Sequence, residues 1–238
     1  MLELLTDTRV DLAVSGARHG EGLFETIRVR DGVPLRLAAH LERLAAGARF
    51  LGLEPPPDPA TVLAFVAGAC SGLASGVLRQ VAVEPWEPGH PARILLGLSR
   101  EIQRMSGSPL NRFKTLAYLE NRLLAREAER RGLFELVALN EHGRLTDGAR
   151  TSLFLVLDGR MLTPPVTDGA LPGVARRCLL EAGLAEEAPL TQEDLLQAEA
   201  VLLTNSLRGA LPVHGLEGQR NGPLDAGHSL LLQAVKML

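Results

Sequence analysis

The order of apolar and polar positions reads as strands over Arg9–Val14 and Leu23–Arg30. The second strand runs into Asp31-Gly32, a hairpin signal, and then Val33–Leu37. From Leu37 to Leu53 the period lengthens, and Leu37, Leu41, Leu44, Ala48 and Leu51 fall on one helical face. Glu54-Pro55-Pro56-Pro57-Asp58-Pro59 stops that helix. A second helix is predicted over roughly Ala60–Leu73, then strands over Gly76–Glu84 and Ala92–Ser99 with a Pro- and Gly-rich turn around Trp86. This first half is an α+β pattern.

Residues 103–111, containing Ser106-Gly107-Ser108-Pro109, read as a linker between residues 1–102 and 112–238. The second half opens on a short strand carrying Lys114 and a helix over about Leu119–Arg131. That helix is predicted to use Leu119, Leu123 and Ala128 as its apolar face, with Glu127 four residues before Arg131. Strands follow over Phe134–Asn140, Ser152–Leu157 and Arg160–Leu162, with turns at Glu141-His142-Gly143 and Asp158-Gly159. Helices are expected from Gly173 to about Ala182, over Gln192–Gln197 and over Ala226–Met237, with a strand at Ala200–Thr204.

With 46% hydrophobic residues, the 238-residue chain can bury a sizeable core. A net charge of −3 and 3% aromatic content argue against a nucleic-acid surface. No apolar run reaches membrane-spanning length. The N-terminal residues carry no signal-peptide pattern, and Cys70 and Cys178 match no metal spacing, so a cytoplasmic protein without a metal site is expected. Both cysteines lie in apolar helical runs and read as small core residues.

The basic residues are uneven: two lysines, Lys114 and Lys236, against twenty-three arginines. Arginine stays protonated and cannot act as an amine nucleophile, whereas lysine forms Schiff bases with carbonyl groups once its pKa falls. Lys236 lies near the chain end, but Lys114 is internal. On position alone, a reactive amine and an ordinary salt-bridging lysine are equally open. Leu171-Pro172-Gly173-Val174-Ala175-Arg176 opens a helix after a glycine, and Thr204-Asn205-Ser206-Leu207-Arg208-Gly209 gathers hydroxyls and an amide after a strand. Both suit an anion, though each by itself is also plain turn chemistry. Arg43 could be a solvated helix residue, His40 a hydrogen-bonded structural histidine, and Asp147 a turn aspartate. Together, an internal lysine, an acid and phosphate donors are what pyridoxal phosphate needs.

The ordered motifs resemble the class IV aminotransferase family of pyridoxal-phosphate enzymes. They are Gly20-Glu21-Gly22-Leu23-Phe24-Glu25-Thr26-Ile27-Arg28-Val29, His40-Leu41-Glu42-Arg43-Leu44, Lys114 before Tyr118-Leu119-Glu120-Asn121, Leu145-Thr146-Asp147-Gly148, Thr163-Pro164-Pro165, Leu171–Arg176 and Thr204-Asn205-Ser206. The resemblance implies a two-domain fold type IV enzyme, with a small N-terminal α+β domain, a larger C-terminal mixed β/α domain and the cofactor between them. It also implies a homodimer acting on a small-molecule substrate.

By the same resemblance, Lys114 is the Schiff-base lysine and Arg43 the phosphate-binding arginine. Val174 and Ala175 offer backbone N–H groups to the phosphate and Ser206 a hydroxyl. Leu171 packs on the ring, Tyr118 lies near the ring hydroxyl, and Asp147 stands for the family's pyridine-nitrogen glutamate. Three departures follow: Asp147 is one methylene short, Ala175 replaces a common threonine, and Ser152 stands where asparagine is frequent. The run Thr204–Val213 looks most like aminodeoxychorismate lyases, with Thr26 near the cofactor and Arg208 either a carboxylate clamp or a structural ion pair. An aminotransferase for branched-chain or D-amino acids is the alternative.

Overall fold

The computed structural model describes residues 15–69, 75–79, 82–85, 92–218 and 224–238. The predicted strand at 9–14, Cys70 and the turn around Trp86 lie outside these residues. The chain forms two compact units: Met1–Gly89 with Phe113–Tyr118, and His90–Arg112 with Leu119–Leu238.

In the first unit, α1 (Ser15–His19) precedes the strands β1 (Thr26–Arg30) and β2 (Val33–Pro34), the helices α2 (Leu37–Leu51) and α3 (Pro59–Ala69), and the hairpin β3 (Ser75–Arg79)–β4 (Ala82–Pro85). The sheet order is β2-β1-β3-β4, antiparallel throughout. Ile27 and Val29 alternate inward from β1 and pack with Leu37 and Leu41 of α2 and Val66 of α3. The period change read at Leu37 is therefore the helix start. It is set by Arg36, which adopts a left-handed φ of 56° at the N-cap and turns the chain out of β2.

The second unit contains β5 (Leu95–Arg104), α4 (Leu119–Arg130), β6 (Glu135–Asn140), β7 (Leu145–Gly148), β8 (Ser152–Leu157), β9 (Arg160–Thr163) and α5 (Val174–Glu181). It continues through β10 (Glu186–Glu187), α6 (Gln192–Gln197), β11 (Ala200–Asn205), β12 (Gly209–Pro212), β13 (Gly215–Leu216) and α7 (Ser229–Met237). One sheet runs β10-β9-β8-β11-β12 and the other β13-β5-β6-β7. Leu153, Leu155, Val201 and Leu203 from the first sheet share a core with Ile94, Leu96, Val137 and Leu145 from the second. On the opposite face of β8 and β11, Phe154, Val156, Ala200 and Leu202 pack under Leu179 of α5 and Leu231 and Ala234 of α7.

Three expectations are corrected. The predicted linker at 103–111 is partly strand, because β5 extends to Arg104 and pairs in parallel with β6. The division accordingly falls at 89/90 rather than 102, and Phe113–Tyr118 returns to the first unit through an antiparallel bridge between Leu23 and Thr115. The helix after Lys114 buries Leu124, Ala125 and Ala128 against Leu136 and Ala138 of β6, while Leu119 is 65% exposed. The sheet beneath it, not the leucine spacing, selects that face. Asp147 is no turn residue: it lies within β7, a strand the periodicity did not reveal.

The β7–β8 connection is built on a fully buried carboxylate. Glu135 accepts hydrogen bonds from the backbone of Ala149 and Arg150 at 3.2 Å each and from Thr151 Oγ1 at 3.0 Å. Burial pushes its pKa up, against the Arg150 charge and the donors around it. A Cβ on Gly148 would stand 2.7 Å from Thr151 Oγ1 and 2.8 Å from Glu135 Cγ. Gly148→Ala is therefore expected to destabilise the protein by about 1–3 kcal/mol, the usual cost of overpacking a filled interior. Urea denaturation checks this; an unchanged midpoint would mean the turn yields without cost.

Candidate active site

Lys114 is placed by backbone geometry inside the first unit. Phe24 N–H donates to the Lys114 carbonyl at 2.9 Å and Leu116 N–H to the Gly22 carbonyl at 2.9 Å. This close seating explains the glycines of the Gly20-Glu21-Gly22 motif. A Cβ on Gly22 would fall 2.6 Å from Leu116 Cδ1, and one on Gly20, whose φ is +68°, 2.9 Å from Ala117 N. The Lys114 side chain is half-buried. Its Nζ donates to Tyr118 Oη at 3.3 Å and lies 4.5 and 4.7 Å from the ring centroids of Phe24 and Tyr118, which meet edge to face. The lysine and tyrosine singled out in the sequence are thus brought together.

Arg43 is not the solvated helix residue it could have been. Its Nε and Nη2 form a bidentate pair with Glu25 Oε1 and Oε2 at 2.7 and 2.6 Å. His40, one turn earlier on α2 and 1% exposed, meets Glu25 Oε2 through Nδ1 at 2.7 Å. A carboxylate partner makes Nδ1 the protonated nitrogen. Burial pushes Glu25 up, but the hydrogen bonds from His40 and Arg43, aided by their charges, hold it below the ordinary carboxylate value. For His40, burial outweighs the Glu25 interaction and lowers the pKa, with the charges of Arg43 and Lys114 adding to the shift. Glu25 fixes the Arg43 guanidinium and went unnoticed in the sequence. The buried parity of β1, which points Glu25 inward with Ile27 and Val29, was the available signal. Thr26 starts β1 on the other face, in line with Arg28 and Arg30.

The remaining candidates belong to the second unit. Asp147 is 7% exposed, and its Oδ2 accepts from the Leu171 backbone N–H at 3.0 Å. Arg104 Nη2 stands 3.7 Å from its Oδ1, and Arg104 Nη1 also reaches Glu120 and Asn121 at 3.3 Å. The buried acid and Leu171 are therefore directly linked, and Arg104 is a further member that sequence reasoning missed. Val174 and Ala175 form the buried first turn of α5, whose N-cap, Gly173, supplies no side-chain hydrogen bond. Ser206 and Arg208 sit in the turn after β11, where Asn205 Oδ1 accepts from the N–H groups of Leu207 and Arg208 at 3.1 and 2.8 Å. Among the described residues no group of His, Cys, Asp or Glu is placed to hold a metal ion, and no helix is long and apolar enough to cross a membrane.

Residues 22–81 and 71–216 match the family of class IV amino-transferases. The chain is 28% identical to a bifunctional aminodeoxychorismate lyase / D-amino acid transaminase of Mycobacterium tuberculosis, over 86% of this chain and 84% of that protein. It is also 28% identical to the aminodeoxychorismate lyase of Vibrio harveyi, over 91% of each. The PLP-bound form of a hypothetical aminotransferase from Mycobacterium tuberculosis superimposes with a TM-score of 0.77 at 26% identity, covering 93% of this chain and 89% of that one. The protein belongs to the class IV aminotransferase family and has the fold type IV architecture. It is a pyridoxal-phosphate enzyme. The residues present fit that cofactor: an amine against two aromatic rings, a buried carboxylate, and an uncapped helix start suited to phosphate.

The Glu25–His40–Arg43 cluster makes stability acid-sensitive. Unfolded His40 takes up a proton near pH 6.5 while the native residue, with its lower pKa, resists. Stability therefore falls with pH from about 6.5 downward, and falls further below 4.5 as the depressed Glu25 carboxylate is forced to protonate. Denaturation midpoints between pH 7.5 and 5 should decline more steeply in the wild type than in His40→Gln. Parallel slopes would remove His40 from the account.

Proposed function

We propose that the protein is an aminodeoxychorismate lyase, which eliminates pyruvate from 4-amino-4-deoxychorismate to give 4-aminobenzoate. The observation that carries the reading is the run Thr204-Asn205-Ser206-Leu207-Arg208-Gly209-Ala210-Leu211-Pro212-Val213, the most lyase-like stretch of the chain. The likeness to the Vibrio harveyi lyase, over 91% of each sequence, supports it.

Bound pyridoxal phosphate supplies an electron sink for the carbon that carries the substrate's amino group. In this reading, the Lys114 amine would hold the cofactor and would serve as the base that removes the proton from substrate C4. Tyr118 Oη, 3.3 Å from Nζ, orients that amine. The Phe24 and Tyr118 rings, 4.5 and 4.7 Å from it, restrict where it can swing. By the family resemblance, Arg43, held by Glu25, would serve the phosphate, and so would the Val174 and Ala175 N–H groups and the Ser206 hydroxyl. Leu171 would pack on the ring. Asp147, with Arg104 Nη2 3.7 Å from its Oδ1, would stand at the pyridine nitrogen and hold its proton. Thr26 orients the departing enolpyruvyl group, and Arg208 binds a substrate carboxylate.

The second reading is an aminotransferase for branched-chain or D-amino acids. It is favoured by the Mycobacterium tuberculosis relative, which combines lyase and D-amino acid transaminase activities. Elimination returns the cofactor as the aldehyde, whereas transamination leaves it as the amine. Purified enzyme given aminodeoxychorismate and no oxo-acid should therefore release 4-aminobenzoate and pyruvate in equal amounts over many turnovers. Rapid turnover of amino acid plus oxo-acid, with no 4-aminobenzoate, would establish the second reading instead.

Two variants test the assignments under either reaction. Borohydride should fix the cofactor on Lys114, as read by peptide mass spectrometry, and Lys114→Ala should abolish turnover. Asp147→Asn should retain cofactor and slow the proton-removal step by about 10²-fold, the scale of losing one preorganised electrostatic group. Undiminished turnover in Asp147→Asn would show that another group supports the ring.

A further inference from the structure

Thr204 is 1% exposed, and its Oγ1 has no hydrogen-bond partner among the described residues. A hydroxyl buried this way is costly unless something else accepts or donates to it. Its place in the sheet indicates what that is. Thr204 is the direct cross-strand partner of Ser152 in the β11–β8 ladder, so the two side chains project from the same face. That face is the one bearing Phe154 and Leu202, which α5 covers through Leu179. At the end of it, Ser152 Oγ lies only 2.6 Å from where a Cβ on Gly173 would stand. Gly173 is the N-cap of the eight-residue helix α5 and provides no side-chain cap. Ser152 therefore stands beside the start of α5, and Thr204 is its neighbour across the ladder on the same sheet face.

We infer that Ser152 and Thr204 donate their hydroxyl hydrogens to the cofactor phosphate at the start of α5, forming the sheet-side wall of its cradle. A dianion at a helix N-terminus accepts readily from hydroxyls as well as from backbone N–H groups. Gly173 is required because any side chain there would press on Ser152. Neither hydroxyl is drawn on by the family-derived assignments above. The inference rests on the pyridoxal-phosphate reading but not on the choice between lyase and aminotransferase.

The test compares Thr204→Val, Ser152→Ala and the conservative Thr204→Ser with wild type. Apo-enzyme is titrated with pyridoxal phosphate and, separately, with unphosphorylated pyridoxal, following the visible absorption. Each lost hydroxyl should weaken pyridoxal phosphate by about tenfold, as for one charge-assisted hydrogen bond, and leave pyridoxal unchanged. Thr204→Ser should restore binding. Thermal melts add a second readout. Without cofactor, Thr204→Val should melt at or above wild type, because a stranded hydroxyl is replaced by a methyl group; with cofactor, it should melt below. A Thr204→Val apo-protein that melts well below wild type would make the hydroxyl structural and overturn the inference. Equal losses for pyridoxal and its phosphate, or no loss for either, would also overturn it. A wild-type protein that binds both forms equally removes the cradle alone, whereas one that binds neither removes the cofactor reading as well.

Discussion

The short backbone ladder between residues 22–24 and 114–116 is the constraint on which Lys114 depends. Two hydrogen bonds, which make the Leu23–Thr115 bridge, tie this downstream segment to the chain just before β1. Closing so long a loop carries an entropic cost that grows only slowly with length, and a few well-made contacts suffice to hold it. Glycines at 20 and 22 permit the approach, because any larger residue would meet Leu116 or Ala117. The ladder fixes the backbone of Lys114, and the Phe24 and Tyr118 rings then restrict its side chain.

Charged groups inside each unit are held by several partners at once. Glu25 is shared by His40 and Arg43, Glu135 by the turn leading into β8, and Glu127 by Ser99, Arg100 N–H and Arg131. A buried carboxylate loses its hydration and is tolerated only when donors replace it. Such groups contribute little net stability but make one arrangement much better than its neighbours. In the first unit the effect is a guanidinium with a fixed orientation. In the second, Asp147 is fixed between the Leu171 N–H and Arg104, so the acid cannot turn without breaking a backbone contact of the residue expected on the ring.

Departures from the sequence reading share a cause. The strand β7 escaped notice because Leu145-Thr146-Asp147-Gly148 is buried on both faces and shows no alternation. The face of α4 was right at Ala128 but not at Leu119 and Leu123, whose spacing is as helical as that of Leu124 and Ala128; only the position of β6 separates them. The boundary was misplaced because Ser106-Gly107-Ser108-Pro109 has loop composition, while the parallel pairing that draws β5 into the second unit involves residues far away in sequence. Glu25 and Arg104 were overlooked for the same reason: an acid or an arginine is unremarkable until its partners are seen.

The sequence by itself determined α2 through its helical period, β8 as an apolar run ended by Asp158-Gly159, and α6, together with the ordered motifs that mark the family and its lysine. These are local properties: spacing, turn chemistry and residue type reside in a few consecutive positions. Tertiary structure alone decided which acid orients Arg43, what links Asp147 to Leu171, and which hydroxyls stand beside the first turn of α5. Those choices depend on burial and on register between strands distant in the chain. A one-residue shift in the β8–β11 ladder would turn Thr204 to the other face of the sheet, and no composition or spacing records that register.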